Sequence, residues 1–367
     1  MKRIFIWIVM IISTLEGLST SSSTSGTRTG VKHLLIANPT VRNLETLHFL
    51  IEHQIFRLNT RNIHIIGIYH QKQAYDFSAS QKFLLENNIS YIDLQEVEGT
   101  LDLSNIFEEN ECTPVFRDLF DKSVGILFFG GPDIQPEIYG EENLYSEVTD
   151  PNRHLFEVSL AFHFAGSTHN LDFKSFMEDR QDYLMTGFCL GLQTMNVAGG
   201  GSLWQDIPAQ VYGKSGPNEI VKTERENLHR NYWQEINPSD QYMTINLHPV
   251  HFTDHPFFGK TIPVRKTDTP RIYSSHHQSP KEIAHGYEIT ALSPDGKIVE
   301  GLAHKRFPYV FAVQFHPEVP ALYEDRENLI FMPDDTPSTM HRLIGRKSVS
   351  FHRKYWKHIS EIVKHQP

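Results

Sequence analysis

Short, wholly apolar runs alternate with stretches of helical spacing along most of this chain, and that alternation restricts its fold more than any other feature. His33–Ala37 (HLLIA) reads as a buried strand closed by the turn signal Asn38-Pro39. Leu44–Ile55 has helical spacing, Ile63–Tyr69 (IHIIGIY) is a second apolar run, and Ser78–Leu85 is a second helix. Ile89–Leu94 follows as a strand and Val115–Phe120 as a helix; Val124–Phe129 (VGILFF) is a strand closed by Gly130-Gly131-Pro132. Phe156–Phe164 reads as a helix, Tyr183–Phe188 as a strand, and Gly191–Ala198 opens a helix behind it. Successive strand side chains point to opposite faces, so continuous apolar strands are covered on both sides. The predicted class is α/β with a mostly parallel central sheet. Sites in such sheets lie at the carboxyl ends of strands. That rule singles out Gly130-Gly131, Cys189, and His316 after the run Val310–Phe315 (VFAVQF).

The 367 residues are 39% hydrophobic, enough for a sizeable core, which excludes wholesale disorder. A formal net charge of −10 argues against a nucleic-acid partner, which needs a basic face. With two cysteines, Cys112 and Cys189, neither a disulfide framework nor a cysteine-rich zinc module is available. Lys2 and Arg3 precede the apolar run Ile4–Ile12, which is too short for a comfortable membrane span. Residues 1–20 therefore read as a signal peptide and 21–30 as a Ser/Thr-rich linker. The expected location is exported, periplasmic or secreted, without a stable membrane span after cleavage. Membrane anchoring by an uncleaved N-terminus is the alternative.

The run Tyr183–Gln193 places Cys189 between Gly187 and Gly191, after a strand and before a helix. Small residues two before and two after leave room for a strained strand-to-helix elbow. The helix N-terminus favours thiolate, the reactive form, and the backbone N–H of Leu190 points toward an oxyanion formed at Cys189. Downstream, His316-Pro317-Glu318 ends a strand, and residues i and i+2 of an extended segment point the same way. Glu318 can then orient His316 toward the thiolate, completing a nucleophile, base and orienter.

With these pieces in order the sequence resembles the class I glutamine amidotransferase-like superfamily, in its gamma-glutamyl-gamma-aminobutyrate hydrolase and gamma-glutamyl hydrolase branch. The resemblance rests on residues 130–141 (GGPDIQPEIYGE), on Gly187–Gln193 with Asn196, Gly200 and Gly201, on Ser275-His276-His277-Gln278, and on Val313–Glu318. It implies a flavodoxin-like three-layer sandwich with a nucleophile elbow over residues 31–330, with 331–367 a C-terminal helical extension. It implies that Cys189, His316 and Glu318 form a catalytic triad and that the N–H groups of Gly131 and Leu190 form the oxyanion hole. Gln193, Gly130 and His277 would contact a small-molecule or peptide gamma-glutamyl substrate. The implied activity is hydrolysis of gamma-glutamyl amide or peptide bonds through a thioester, with no cofactor. Two alternatives stand beside it: a glutaminase subunit supplying ammonia to a separate partner, and a non-catalytic protein that binds gamma-glutamyl ligands. Leu190 stands where the gamma-aminobutyrate branch usually carries arginine; leucine is common there in synthetase-type amidotransferases and gamma-glutamyl hydrolases.

Residues 214–240 form a polar insertion that reads equally as a lid or a surface loop. His248-x-x-His251, His251-x-x-x-His255 and His276-His277 are the best candidate metal clusters among 21 histidines. None has the helical spacing of a zinc protease, so no metal is expected. His341–His365 reads as an amphipathic helix with a solvated basic face. A homodimer is the assembly left open.

Overall fold

The structure, a computed structural model, describes residues 32–238 and 242–366. The expected signal peptide and linker lie outside these residues. Residues from 31 onward belong to one compact unit.

Five strands and five helices alternate through the first half: β1 (Lys32–Ala37), α1 (Val41–Glu52), β2 (Ile63–His70), α2 (Phe77–Glu86), β3 (Ile92–Val97), α3 (Thr113–Lys122), β4 (Ser123–Phe128), α4 (Pro151–Ala165), β5 (Leu184–Phe188) and α5 (Leu190–Ala198). The helices start where the sequence supplies caps. The side chains of Thr40, Asp76 and Asp150 each accept a hydrogen bond from a first-turn N–H of α1, α2 and α4, and Pro151 opens α4 without losing a bond.

The nine-stranded sheet runs β3-β2-β1-β4-β5, then Val310–Val313, Val299–His304, Tyr287–Leu292 and His251–Phe252. Its first six strands are parallel and the rest antiparallel. The fold is thus a flavodoxin-like α/β sandwich. The two faces divide alternate residues of each strand. Leu35, Ile126, Phe128 and Met185 pack with Phe116, Phe156 and Leu192 of α3, α4 and α5. Leu34, Ile36, Leu127 and Phe188 pack with Leu44 and Leu84 of α1 and α2 and with Tyr355, Trp356 and Ile359 of the C-terminal helix. Burying a side chain of that size contributes about 1.5–3 kcal/mol, so each layer depends on its helices.

Three differences from the sequence reading have local causes. The third strand begins at Ile92, not Ile89, because Asn88 turns into the left-handed region (φ 54°) and the Ile89 N–H bonds back to Leu84 at 2.9 Å, ending α2. The C-terminal helix divides at Gly345 (φ 81°) into Met340–Ile344 and Arg346–His365. The second of these buries Phe351, Tyr355, Trp356 and Ile359 against the sheet, so residues 331–367 pack into the same body as the preceding strands. The polar insertion contributes Ile220, Leu228 and Tyr232 to a third, smaller core with Leu322, Phe331 and Met340. No helix among the described residues is long and apolar enough to cross a membrane.

Candidate functional site

The strand order reverses between β1 and β4, and a cavity of about 430 Å³ opens beside that point at the carboxyl ends of the parallel strands. Its wall includes Asn38, Thr40, Arg42, Gly130, Gly131, Arg153, Cys189, Ser275, His316 and Glu318.

Cys189 takes φ 53° and ψ −107°, a conformation that L side chains rarely adopt. The surroundings hold it there. Its N–H donates to the Val313 carbonyl at 2.9 Å, and its own carbonyl accepts from the Leu192 and Gln193 N–H groups at 3.0 and 3.2 Å, starting α5. The flanking glycines are sterically required. A Cβ on Gly187 would lie 2.5 Å from the Gly191 carbonyl carbon, and one on Gly191 would lie 2.3 Å from the Phe128 carbonyl oxygen. Chain contacts that close leave no room for a methyl group.

His316 follows the neighbouring strand Val310–Val313, and its Nδ1 lies 2.7 Å from Glu318 Oε1. Nδ1–H therefore donates to the carboxylate, and Nε2 faces the nucleophile and the Ser275 hydroxyl, the latter at 3.0 Å. Burial disfavours the imidazolium, but the charges of Glu318 and Cys189 outweigh it and push the His316 pKa up to about 10. Gly130 is the spacer beside this pair, since a Cβ there would lie 2.8 Å from His316 Cε1 and 3.6 Å from Cys189 Cβ. Two groups outside the motif brace the histidine segment: Trp356 Nε1 donates to the Pro317 carbonyl at 2.8 Å and the Tyr323 hydroxyl to the same oxygen at 2.5 Å.

Cys189, His316, Glu318, Gly130 and Gly131 therefore come together on one wall. Leu190 begins α5, with Cδ2 only 2.9 Å from where a Gly131 Cβ would be, so these two residues are adjacent. Gln193 and His277 stand apart from that wall. Gln193 is buried in α5, its amide donating to the Gln278 carbonyl and to Gln314 Oε1 at 3.3 and 3.4 Å. His277 bridges two loops, with Nε2 at 2.9 Å from Asp133 and Nδ1 at 3.1 Å from Asp206.

Burial works against the charged form of His277, but the hydrogen bonds to Asp133 and Asp206 raise its pKa to about 9. An imidazolium stabilised in this way contributes fully below the unfolded value near 6.5 and is lost as pH rises through about 9. The contribution is at most about 3 kcal/mol. The gap in unfolding free energy between wild type and His277→Gln is therefore expected to be largest near neutrality and to shrink by pH 9.5. A gap independent of pH, measured by urea denaturation, would count against the bridge.

Arg153 is a site residue that sequence reasoning missed. Although charged, it is only 4% exposed at the start of α4. Its Nε donates to fully buried Glu157 at 2.8 Å and its Nη2 to the Phe129 and Gly130 carbonyls at 3.1 and 3.2 Å. It thereby fixes the glycine loop against α4 while one edge of the guanidinium faces the cavity. Its spacing to Glu157 (i, i+4) was the only available signal, and surface helices carry that spacing routinely.

The Peptidase C26 family model matches residues 64–318. Protein NtpR of Enterococcus hirae is 30% identical over 207 residues, which make up 56% of this chain and 69% of that protein. A putative glutamine amidotransferase-like protein, YvdE, of Lactococcus lactis is 29% identical over 230 residues, 62% of this chain and 79% of that protein. Among solved structures, a putative GMP synthase protein from Thermoplasma acidophilum aligns with 82% of this chain and 95% of its own, at a TM-score of 0.37 and 14% identity.

Proposed function

Since the chain belongs to the glutamine amidotransferase class I-like Peptidase C26 family, we propose that it is a cysteine hydrolase of gamma-glutamyl amide or peptide bonds. The observation that carries this reading is the convergence of Cys189, on its strained elbow, with the His316–Glu318 pair on one cavity wall.

In this reading the Cys189 thiolate attacks the gamma-carbonyl carbon, and its electrons move onto the carbonyl oxygen. The N–H groups of Gly131 and Leu190 receive that oxyanion. Protonated His316 gives its Nε2 proton to the leaving amine, the C–N bond breaks, and a thioester remains on Cys189. Neutral His316 then takes a proton from water, the hydroxide attacks the thioester, and glutamate leaves as the thiolate is restored. Glu318 holds the imidazole orientation and favours its charged form throughout. Arg42 is exposed on the cavity wall and has no ion-pair partner among the described residues. It is suited to the alpha-carboxylate of a gamma-glutamyl group.

The first step needs His316 protonated, so turnover is expected to fall as pH rises through about 10, where that proton is lost. Replacing Glu318 by Gln removes the charge that raises this value. The alkaline limb of the pH–rate profile should then move down toward the ordinary histidine range near 6.5. A limb at the same pH in both enzymes would show that Glu318 does not set the state of His316. Turnover of a panel of gamma-linked dipeptides tests the reaction class. Ammonia release from free glutamine, appearing only with an added partner protein, would instead assign the chain to the glutaminase alternative.

A further inference from the structure

On the far side of the Ser274–Gln278 segment from the cavity lies a group of side chains that the reaction above does not use. His229, His248, His276 and Glu300 are each at most 3% exposed, and one ligand atom from each lies within 4.8 Å of all the others. His229 Nδ1, His276 Nε2 and His248 Nε2 stand 3.1, 3.5 and 3.6 Å from the same oxygen, Glu300 Oε1. None of these four atoms makes a hydrogen bond among the described residues, and Glu300 Oε2 and His229 Nε2 also lack one. Buried polar atoms are rarely left unsatisfied, and a carboxylate least of all.

The tautomers explain why the contacts are not hydrogen bonds. His248 Nδ1 lies 2.9 Å from the Pro249 carbonyl and His276 Nδ1 lies 2.8 Å from the Gln278 carbonyl. A carbonyl only accepts, so each ring carries its proton on Nδ1 and presents a bare Nε2 lone pair to the carboxylate. Burial lowers the pKa of both histidines, His248 to about 3, which keeps the rings neutral. Lone pairs converging on a carboxylate repel one another unless a cation lies between them. Backbone carbonyls that fix the outer ring nitrogen are the usual support of a metal-ligating histidine.

We propose that His229, His248, His276 and Glu300 bind one divalent transition-metal ion of the zinc class. Three imidazole nitrogens and one carboxylate oxygen suit that ion's tetrahedral preference. Metal–ligand bonds of about 2.0–2.1 Å in a tetrahedron separate the ligand atoms by about 3.3 Å, close to the 3.1–3.6 Å spacings to Glu300 Oε1. The site is closed and buried, so its role is structural. His229 belongs to the 214–240 insertion, Glu300 to the sheet strand Val299–His304, and His276 follows Ser275, which bonds His316. The ion therefore pins the insertion to the sheet and steadies the segment that carries Ser275.

The test is metal analysis of the full chain produced in zinc-supplemented medium and freed of loose metal. The expected result is about one zinc ion per chain in wild type and in Cys189→Ala, and none in His248→Ala or Glu300→Gln. Stripping wild type with 1,10-phenanthroline should lower its Tm, zinc should restore it, and cobalt loading should give intense visible bands of a tetrahedral site without thiolate charge transfer. The phenanthroline arm decides the matter if the variants fail to fold. Folded wild type that holds no metal and shows no Tm response to chelator or zinc overturns the proposal. So does a stoichiometric ion that remains in both ligand variants.

Discussion

Replacing Cys189 by Ala is expected to abolish turnover of any gamma-glutamyl substrate the enzyme accepts, by at least about 10⁴-fold in kcat, because every bond-making step begins at that sulfur. The fold should survive. Cys189 is held by backbone hydrogen bonds to Val313, Leu192 and Gln193, none of which uses the thiol. Wild type and variant are therefore expected to have similar far-UV spectra and unfolding midpoints. Cys112 provides the control. It is buried in the core, where burial pushes its thiol pKa up to about 11, and its sulfur approaches the Glu98 carbonyl rather than the cavity. Cys112→Ala should keep nearly full turnover. A Cys189→Ala enzyme with a rate within tenfold of wild type would place the chemistry elsewhere.

The second large effect is on stability. Removing the Arg153 guanidinium leaves Glu157, fully buried in α4, without its cation. Breaking one side of a buried ion pair typically costs about 3–5 kcal/mol. Arg153→Ala also frees the Phe129 and Gly130 carbonyls and so loosens the loop that carries Gly131. The expected result is a denaturation midpoint well below wild type, with turnover reduced further in whatever fraction stays folded. Burial already raises the Glu157 pKa, and that tendency goes unopposed once the arginine is gone, so the variant should be destabilised least at acid pH, where the carboxyl is neutral. Changing Glu157 to Gln in the Arg153→Ala background should recover part of the loss. A single variant as stable as wild type would remove Arg153 from its structural role.

What could be read from sequence was what is encoded locally. The elbow was legible because Gly187, Cys189 and Gly191 sit within five residues between an apolar strand and a helix, and the backbone contacts at both glycines give the steric reason. The His316–Glu318 contact was legible because two residues of extended chain bring the side chains together. Partners contributed by distant elements were not legible. Arg153 reaches the glycine loop only because α4 packs beside β4, and Trp356 reaches Pro317 only because the last helix returns across the sheet. The strong amphipathic pattern of that helix revealed a buried face but not what it covers. Histidine spacing along the chain misled for the same reason. His251, His255 and His277 lie outside the cluster that His248 and His276 form, and its other two members, His229 and Glu300, come from the insertion and a central strand. Gln193 and His277 lie within the expected motifs, yet their side chains turn to Gln278 and Gln314 and to Asp133 and Asp206. Motif position located the neighbourhood, and packing decided the direction.

Covalent labelling by an electrophilic glutamine analogue, read by peptide mass spectrometry, tests the central claim most directly. The account predicts one adduct per chain, on the peptide containing Cys189, forming in step with loss of activity and prevented by excess gamma-glutamyl substrate. A folded enzyme that takes no label, or takes it on Cys112 while Cys189 stays free, would contradict it.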